Sequence, residues 1–557
     1  MTTVAGRARP AHGRRSGGGP AGAGQGSLAG TRTLARFALR RDRIMLPVWA
    51  YVIVIGVCSN AYTFARLYKT AASRSSVAAT TGSNPALVFL YGRLNGDSVG
   101  ALTAWRYGVW AALFAALMTI FLVIRHTRAD EESGRLELIG SARVGRHAPL
   151  ASALAVDVVA NGVVTILLSI ALPFFGMPLA GSIALALAVA TCGLAFAGIS
   201  AVAAQLTASA RTARGIAIAI LGASFLLRAV GDAAGARGPG WLTWLLPLGW
   251  TETLRPFAGE RWWVLLLPLA TFAVGVALAL ALAARRDLDA GLLPDRPGRP
   301  AASAALRGPL SLAWRLQWPT LAAWAAGYTV LFTVCGAAGK GIGQLVGTSG
   351  ALRAEFTRLG GQAEIVDAYL AGLMLLAGLI AAGYGVATVL RLRAEESGNL
   401  ADPVLAGSTG RVRWGLSHIL VAVTGMALLL AVGGLATGVG YGLRAGDAGH
   451  WVVAMLGAGL AELPATLVIA GVAAAAFGLA ARVSVAVGWT ALGLAVALSL
   501  FGTVLQLSPW VLDVSPFSHV PRLPGGAVSA APLGWISGLG LVLIAVGLAG
   551  LHRRDIG

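Results

Sequence analysis

The chain has 557 residues, 57% of them hydrophobic and 12% charged, about half the ~25% charged share of a soluble domain. That balance excludes an ordinary water-soluble enzyme and makes lipid the main solvent. A formal net charge of +20 raises nucleic acid as a partner, so the placement of the charges has to be read along the chain.

Residues 1–33 carry Arg7, Arg9, Arg14, Arg15 and Arg32 among Gly, Ala and Ser. No apolar core precedes the first long span, so the segment reads as a disordered basic cytoplasmic tail and not a cleaved signal. Apolar runs follow near 44–64, 104–124, 150–174, 182–207, 215–234, 262–284, 320–338, 366–389, 415–438, 451–478, 484–506 and 533–551. Each is close to the ~20 residues a helix needs to cross a bilayer. Lipid leaves no partner for open backbone, and the runs do not alternate as a lipid-facing barrel would. The fold class is therefore an all-α polytopic membrane protein with about twelve spans. With the N-terminus inside, most Lys and Arg fall in the tail and in the loops on its side of the membrane, which is the positive-inside bias. The basic charge is topological, and nucleic acid drops out as a partner. The expected place is the plasma membrane, with both termini cytoplasmic.

The chain repeats itself. Arg40 precedes Trp49-Ala50 at the spacing at which Arg315 precedes Trp324-Ala325. After two spans come Ala129-Asp130-Glu131-Glu132-Ser133-Gly134 and Ala394-Glu395-Glu396-Ser397-Gly398, followed by Gly145-Arg146 and Gly410-Arg411. Loops rich in proline and aromatics come later, at Leu246-Pro247-Leu248-Gly249-Trp250 and Val514-Ser515-Pro516-Phe517-Ser518-His519. Each repeat ends on Arg-Arg-Asp, at 285–287 and 553–555. The expected organisation is a first six-helix half at 34–287, a cytoplasmic Pro-rich linker at 288–308 and a second half at 309–557. Even span numbers make the repeat parallel.

The Glu-Glu-Ser-Gly segments fall in the loop between the second and third span of each half. In the first, Glu131 and Arg135 stand i,i+4 in the favourable order, and Leu136, Leu138 and Ile139 add an apolar side. That pattern suits a short amphipathic helix at the inner membrane surface, offered to a partner. A merely solvated acidic helix start is the plainer alternative, but such a loop has no reason to recur.

The chain here resembles the type-2 ABC exporter permeases, specifically the fused-half polyketide-antibiotic or tetronasin-type exporters. The likeness rests on residues 128–138 with Val144-Gly145-Arg146-His147-Ala148-Pro149, on Pro247-Leu248-Gly249-Trp250 with Arg255-Pro256-Phe257, and on Ser515-Pro516-Phe517-Ser518-His519-Val520-Pro521. The resemblance implies a coupling helix that docks on a separate nucleotide-binding ATPase subunit, present in two copies, with ATP and Mg held there and no cofactor in this chain. It puts that role on Glu131, Glu132, Gly134 and Arg135, and on Glu395, Glu396 and Gly398. Matching the Ser-Gly pairs places Asn399 where Arg135 stands and Ala401-Asp402-Pro403 where Glu137-Leu138-Ile139 continue the helix, so an asymmetric pair of contacts is expected. The implied cargo is a hydrophobic or amphiphilic, antibiotic-like compound.

Gly336-Ala337-Ala338-Gly339-Lys340-Gly341 is the nearest thing to a phosphate loop, but it lacks the glycine spacing and the Ser or Thr after lysine. It reads as a loop at the far end of a span. Charges inside spans each need an explanation, because they cost about 2.5–3.5 kcal/mol to insert. Glu462 lies near a midplane just before Pro464; Arg228 and Asp232 are one turn apart; Asp157 precedes Asn161 by a turn. Pairing inside the bundle and lining a substrate path are both open for them. Trp241, Trp244, Trp250, Trp262, Trp263 and Trp510 suit an interfacial belt. Cys58, Cys192 and Cys335 have no ligand spacing and His519 stands alone, so no metal site is expected. The main rival is a proton-driven secondary multidrug transporter with Glu462 as proton carrier. A lipid-substrate transferase and a non-transporting anchor explain less of the repeat.

Overall fold

The computed structural model describes residues 27–82, 85–140, 144–233, 239–286, 291–292, 301, 303, 306–348, 362–501, 507–527 and 529–555. Residues 1–26 of the expected tail and most of the 288–308 linker lie outside them. Among the described residues there is no strand. Among the same described residues eleven helices are long and apolar enough to cross a bilayer, and Ser484–Leu500 is a shorter apolar one. The protein is an all-α polytopic membrane protein.

The chain divides into two compact units, residues 1–78 with 91–296, and 79–90 with 297–557. In the first, α1 (Thr31–Arg41) leads into α2 (Met45–Leu67), so the end of the expected tail is already helical. Two helices that hydropathy alone did not mark follow along the chain, α3 (Ala71–Gly82), whose last residues fall in the second unit, and α4 (Pro85–Tyr91), which belongs to the second unit but for Tyr91. Then come α5 (Val99–His126), the short α6 (Arg128–Glu132) and α7 (Arg135–Gly140), α8 (Ala148–Ala171), α9 (Leu179–Leu206), α10 (Ala210–Ala233), α11 (Pro247–Thr253) and α12 (Leu266–Ala283). α5 starts five residues before its apolar run because Ser98 caps it, its hydroxyl accepting the Ala101 N–H at 3.0 Å. α9 is the axis of the unit, packing along α5, α8 and α12. Small residues along it, such as Gly198 facing Gly275 of α12, let the backbones approach.

In the second unit, α13 (Pro309–Thr348) is followed by α14 (Gln362–Val389), α15 (Arg391–Ser397), α16 (Asp402–Leu405) and α17 (Arg411–Ala445). After these come α18 (Ala448–Ala461), α19 (Leu463–Ala480), α20 (Ser484–Phe501), α21 (Pro509–Leu512) and α22 (Ala530–Arg553). α14 is largely buried between α17 and α19, while α22 lies against α19 with most of its surface exposed. There Gly478 meets the backbone of Gly547 so closely that a Cβ has no room. Gly336–Gly341 lies inside the uninterrupted α13, so the expected loop is helix, which also removes any phosphate-loop geometry. The exposed faces carry Ile166, Ile170, Val274, Leu541 and Trp535, the apolar rim that lipid contact requires.

Candidate functional site

Three residues of the first loop set its shape. Thr127 departs from helical geometry after α5, and Ser133-Gly134 ends α6, with Gly134 at φ +70°, a conformation natural to glycine. That turn separates Glu131 and Arg135 onto two helices, so the expected i,i+4 pair does not form. Glu131 is only 4% exposed. Its carboxylate accepts both Arg286 Nη1 at 2.6 Å and Nη2 at 2.7 Å, and Arg128 Nη1 lies 2.9 Å away. Arg286 also donates from Nε to Gln205 Oε1 at 2.6 Å. Arg146 closes the knot by donating to the carbonyls of Ala283 and Arg286 at 2.8 and 3.0 Å. Arg135 pairs with Asp130 at 3.2 Å. Glu132 reaches sideways and accepts the Ala210 N–H at 2.9 Å, meeting an orphan donor at the positive start of α10.

The second loop builds the same knot from residues shifted by one. Glu396, not Glu395, is clamped by Arg554, with Nη1 and Nη2 at 2.9 and 3.0 Å. Arg393 approaches it at 3.7 Å, and Arg411 donates to the Arg554 carbonyl at 2.9 Å. The Arg554 guanidinium lies over the Phe477 ring, 5.0 Å from its centre. Arg128-Ala129-Asp130-Glu131 therefore corresponds to Arg393-Ala394-Glu395-Glu396. The match made through Ser-Gly is corrected by one residue: Asn399 stands where Gly134 stands, and both are left-handed, at φ +55° and +70°. Gly398 at φ −95° does not share the role of Gly134. Beyond it Asp402–Leu405 forms a turn of helix with Pro403 at its start, where proline fits. Leu392, Ala401, Trp414, Phe477 and Leu551 pack beneath it.

A histidine completes each loop. His126 Nε2 sits 2.5 Å from Asp42 Oδ2, and its Nδ1 lies 3.8 Å from Asp130. In the second unit His418 joins Gln317 at 3.2 Å to Glu395 at 3.3 Å. Asp42 and Gln317 each stand two residues beyond the Arg that opens their repeat. The imidazole comes from the second span in one unit and the third in the other. Sequence reading noted the Arg-Arg-Asp endings as landmarks but gave Arg286 and Arg554 no partner, and it missed both histidines. The doubled position of Arg-Arg-Asp was the available signal.

The acids singled out as a docking surface are thus mostly turned inward. The exposed residues around each turn include Glu132, Ser133, Arg135 and Glu137 in the first, and Ser397 to Leu400 with Asp402 and Pro403 in the second. Side chains at 138–140 are outside the described residues.

The intramembrane charges separate into two kinds. Asp157 is fully buried, accepts the Thr119 hydroxyl at 2.7 Å and meets Asn161 Nδ2 at 3.2 Å, so it ties α5 to α8. Arg228 and Asp232 do pair, at 3.4 Å, within a larger cluster: Arg93 Nε is 3.3 Å from Asp232, and Arg228 is 3.7 Å from Glu252. Burial pushes the Glu252 carboxyl well above its usual range, and the neighbouring Asp232 pushes it the same way. Glu462, 5% exposed, differs: Asp157 Oδ2 and Glu252 Oε2 are also buried and unbonded, but those residues keep a side-chain partner, whereas among the described residues the Glu462 side chain has none. Trp244 and Trp263 stack with centroids 5.8 Å apart beside the exposed Trp241 and Trp262. Among the described residues no group of His, Cys, Asp and Glu is arranged for a metal.

Two compact units, each tying the end of its last long helix to the loop after its second through a bidentate Arg-Glu clamp, define a multi-pass helical membrane protein. Residues 306–552 match the family model described as the C-terminal domain of the multidrug efflux system permease Rv1217c. Over 556 residues the chain is 40% identical to the multidrug efflux system permease protein Rv1217c of Mycobacterium tuberculosis, covering 100% of this chain and 99% of that relative. The chain belongs to the family of that permease.

Proposed function

We propose that this chain is the membrane-spanning subunit of an ATP-driven exporter, of the type-2 ABC class and tetronasin-type branch. It moves hydrophobic or amphiphilic, drug-like compounds out of the cell through the plasma membrane. A separate ATPase, in two copies, holds the ATP and Mg, and both termini of this chain lie on its cytoplasmic side. Residues 34–287 and 309–557 form the two halves, joined by the 288–308 linker.

The observation that carries the reading is the knot built twice. In each unit a bidentate arginine from the end of the last span grips the acid of the loop after the second span. Bidentate pairs of this kind are stiff as well as strong. A push on the exposed part of either loop is then passed to several spans as a rigid-body movement and not absorbed locally. Glu131 and Glu396 are the anchors of this lever, and Glu132, Arg135, Glu137, Leu400 and Asp402 are its touching surface. The relative named a multidrug efflux permease supports the drug-like cargo.

The test is the full chain co-expressed with the ATPase subunit that co-purifies with it. Arg135→Glu with Glu137→Lys, combined with Leu400→Asp and Asp402→Lys, should cut drug-stimulated ATP hydrolysis at least tenfold while thermal unfolding in detergent stays unchanged. Unimpaired stimulation would sink the reading. So would export that persists without any ATPase and collapses with the proton gradient, which would favour a secondary transporter.

A further inference from the structure

The second unit breaks its fourth span in the middle. α18 ends at Ala461 and α19 starts at Leu463, with Pro464 in the first turn of the new helix and Glu462 at the joint. The backbone is served: Glu462 N–H donates to the Gly459 carbonyl at 3.1 Å, and its own carbonyl accepts the Thr466 N–H at 3.2 Å. The side chain is not. Oε2 is buried without a hydrogen-bond partner, and among the described residues no Arg, Lys or His forms an ion pair with Glu462. A carboxyl so placed is costly, and every other intramembrane acid of the chain discussed above has a bonded partner.

The carboxyl lies on a cavity of about 280 Å³, lined also by Ala371, Leu498, Ser499, Ser515 and Phe517. Its polar walls are already satisfied, since Ser499 and Ser515 bond each other at 3.0 Å and Ser518 donates to the Ser515 carbonyl at 2.6 Å. Arg522, exposed, lies on the rim. Gly378 makes the room: a Cβ there would stand 2.8 Å from both Glu462 Oε2 and the Phe517 ring. The carboxyl and the aromatic ring are thus held side by side on one wall.

We propose that this cavity is a binding site for the cationic head of an amphiphilic substrate, an organic ammonium or phosphonium, with Glu462 as its counter-charge and Phe517 as its aromatic wall. The proposal rests on the exporter reading and narrows it to cationic cargo for this site. The volume suits a head group, whose apolar remainder would follow the aliphatic wall of Ala371 and Leu498.

Binding by the purified full chain in nanodiscs needs no motor, so it separates the two ideas. Tetraphenylphosphonium should bind the wild type and lose at least tenfold in affinity in Glu462→Gln, while Glu462→Asp keeps part of it. The neutral dye Nile red should bind both forms alike. Phe517→Leu should weaken the phosphonium by a smaller factor. Equal phosphonium affinity in Glu462→Gln, or an equal loss for both probes, would overturn the site. A chain that discriminates the probes in this way, yet fails to export with its ATPase, would keep the site and overturn the exporter reading.

Discussion

The two acidic loops reach one arrangement by different residues. In both, an arginine, an acid three residues later, an arginine from the chain's last span in that unit and an arginine after Gly145 or Gly410 meet in the same order. Around that shared clamp the neighbours differ. Asp130 and Glu395 hold the position before the clamped acid, His126 and His418 arrive from different spans, and Glu132 caps α10 where Ser397 only bonds its own turn, to Ala394 at 3.3 Å. What recurs is the charge geometry that fixes a span end to a loop. The letters Glu-Glu-Ser-Gly, which drew the eye in the sequence, are out of register with it.

The largest effects should come from breaking the clamps. Arg286→Ala strips Glu131 of its bidentate partner and leaves it only the 1% exposed Arg128, and removing one member of a buried pair costs about 3–5 kcal/mol. Arg554→Ala, at a site whose arginine is 22% exposed, should cost less, about 1.5–3 kcal/mol. Chemical unfolding of each variant in mixed micelles measures both, and a larger loss for Arg554→Ala would reverse the ranking of the two loops.

A sharper separation of the registers comes from the next residue along. Glu132→Ala removes the acceptor for the Ala210 N–H and should cost about 1 kcal/mol, whereas Ser397→Ala should stay within about 0.5 kcal/mol. If Ser397→Ala proved the costlier, the one-residue shift would be wrong. The smallest effects belong to the turns. Gly134 has nothing within reach of an added Cβ, so Gly134→Ala isolates the backbone penalty of the left-handed conformation, about 1 kcal/mol. Asn399→Gly should change stability by only a few tenths of that, since asparagine and glycine both tolerate this conformation. A penalty for Asn399→Gly equal to that of Gly134→Ala would show the two turns to be unlike.

Much of this was open to a reader of the sequence. Apolar runs of about twenty residues have few solutions in lipid, because every backbone group must bond within its own segment, and so the spans and the all-α class followed directly. The Arg228 and Asp232 pair was legible from its i,i+4 spacing, and the break at Glu462 from Pro464. The helical α13 through Gly336–Gly341 was misread as loop, since glycines weaken a helix in water more than in a packed bundle where they permit close approach.

Helical class, the apolar runs and the residue types at the loops were all legible along the chain, because they depend on local periodicity and order. Which acid is clamped and which caps a helix follows from contacts between distant parts of the chain. Glu131 and Arg286 are 155 residues apart, and Glu396 and Arg554 are 158 apart. No local pattern reports a contact of that range. Both Asp157 and Glu462 are buried, and it is the neighbours the fold supplies, Thr119 for the one and no donor to Oε2 of the other, that separate them. A buried charge takes its meaning from what the fold sets beside it.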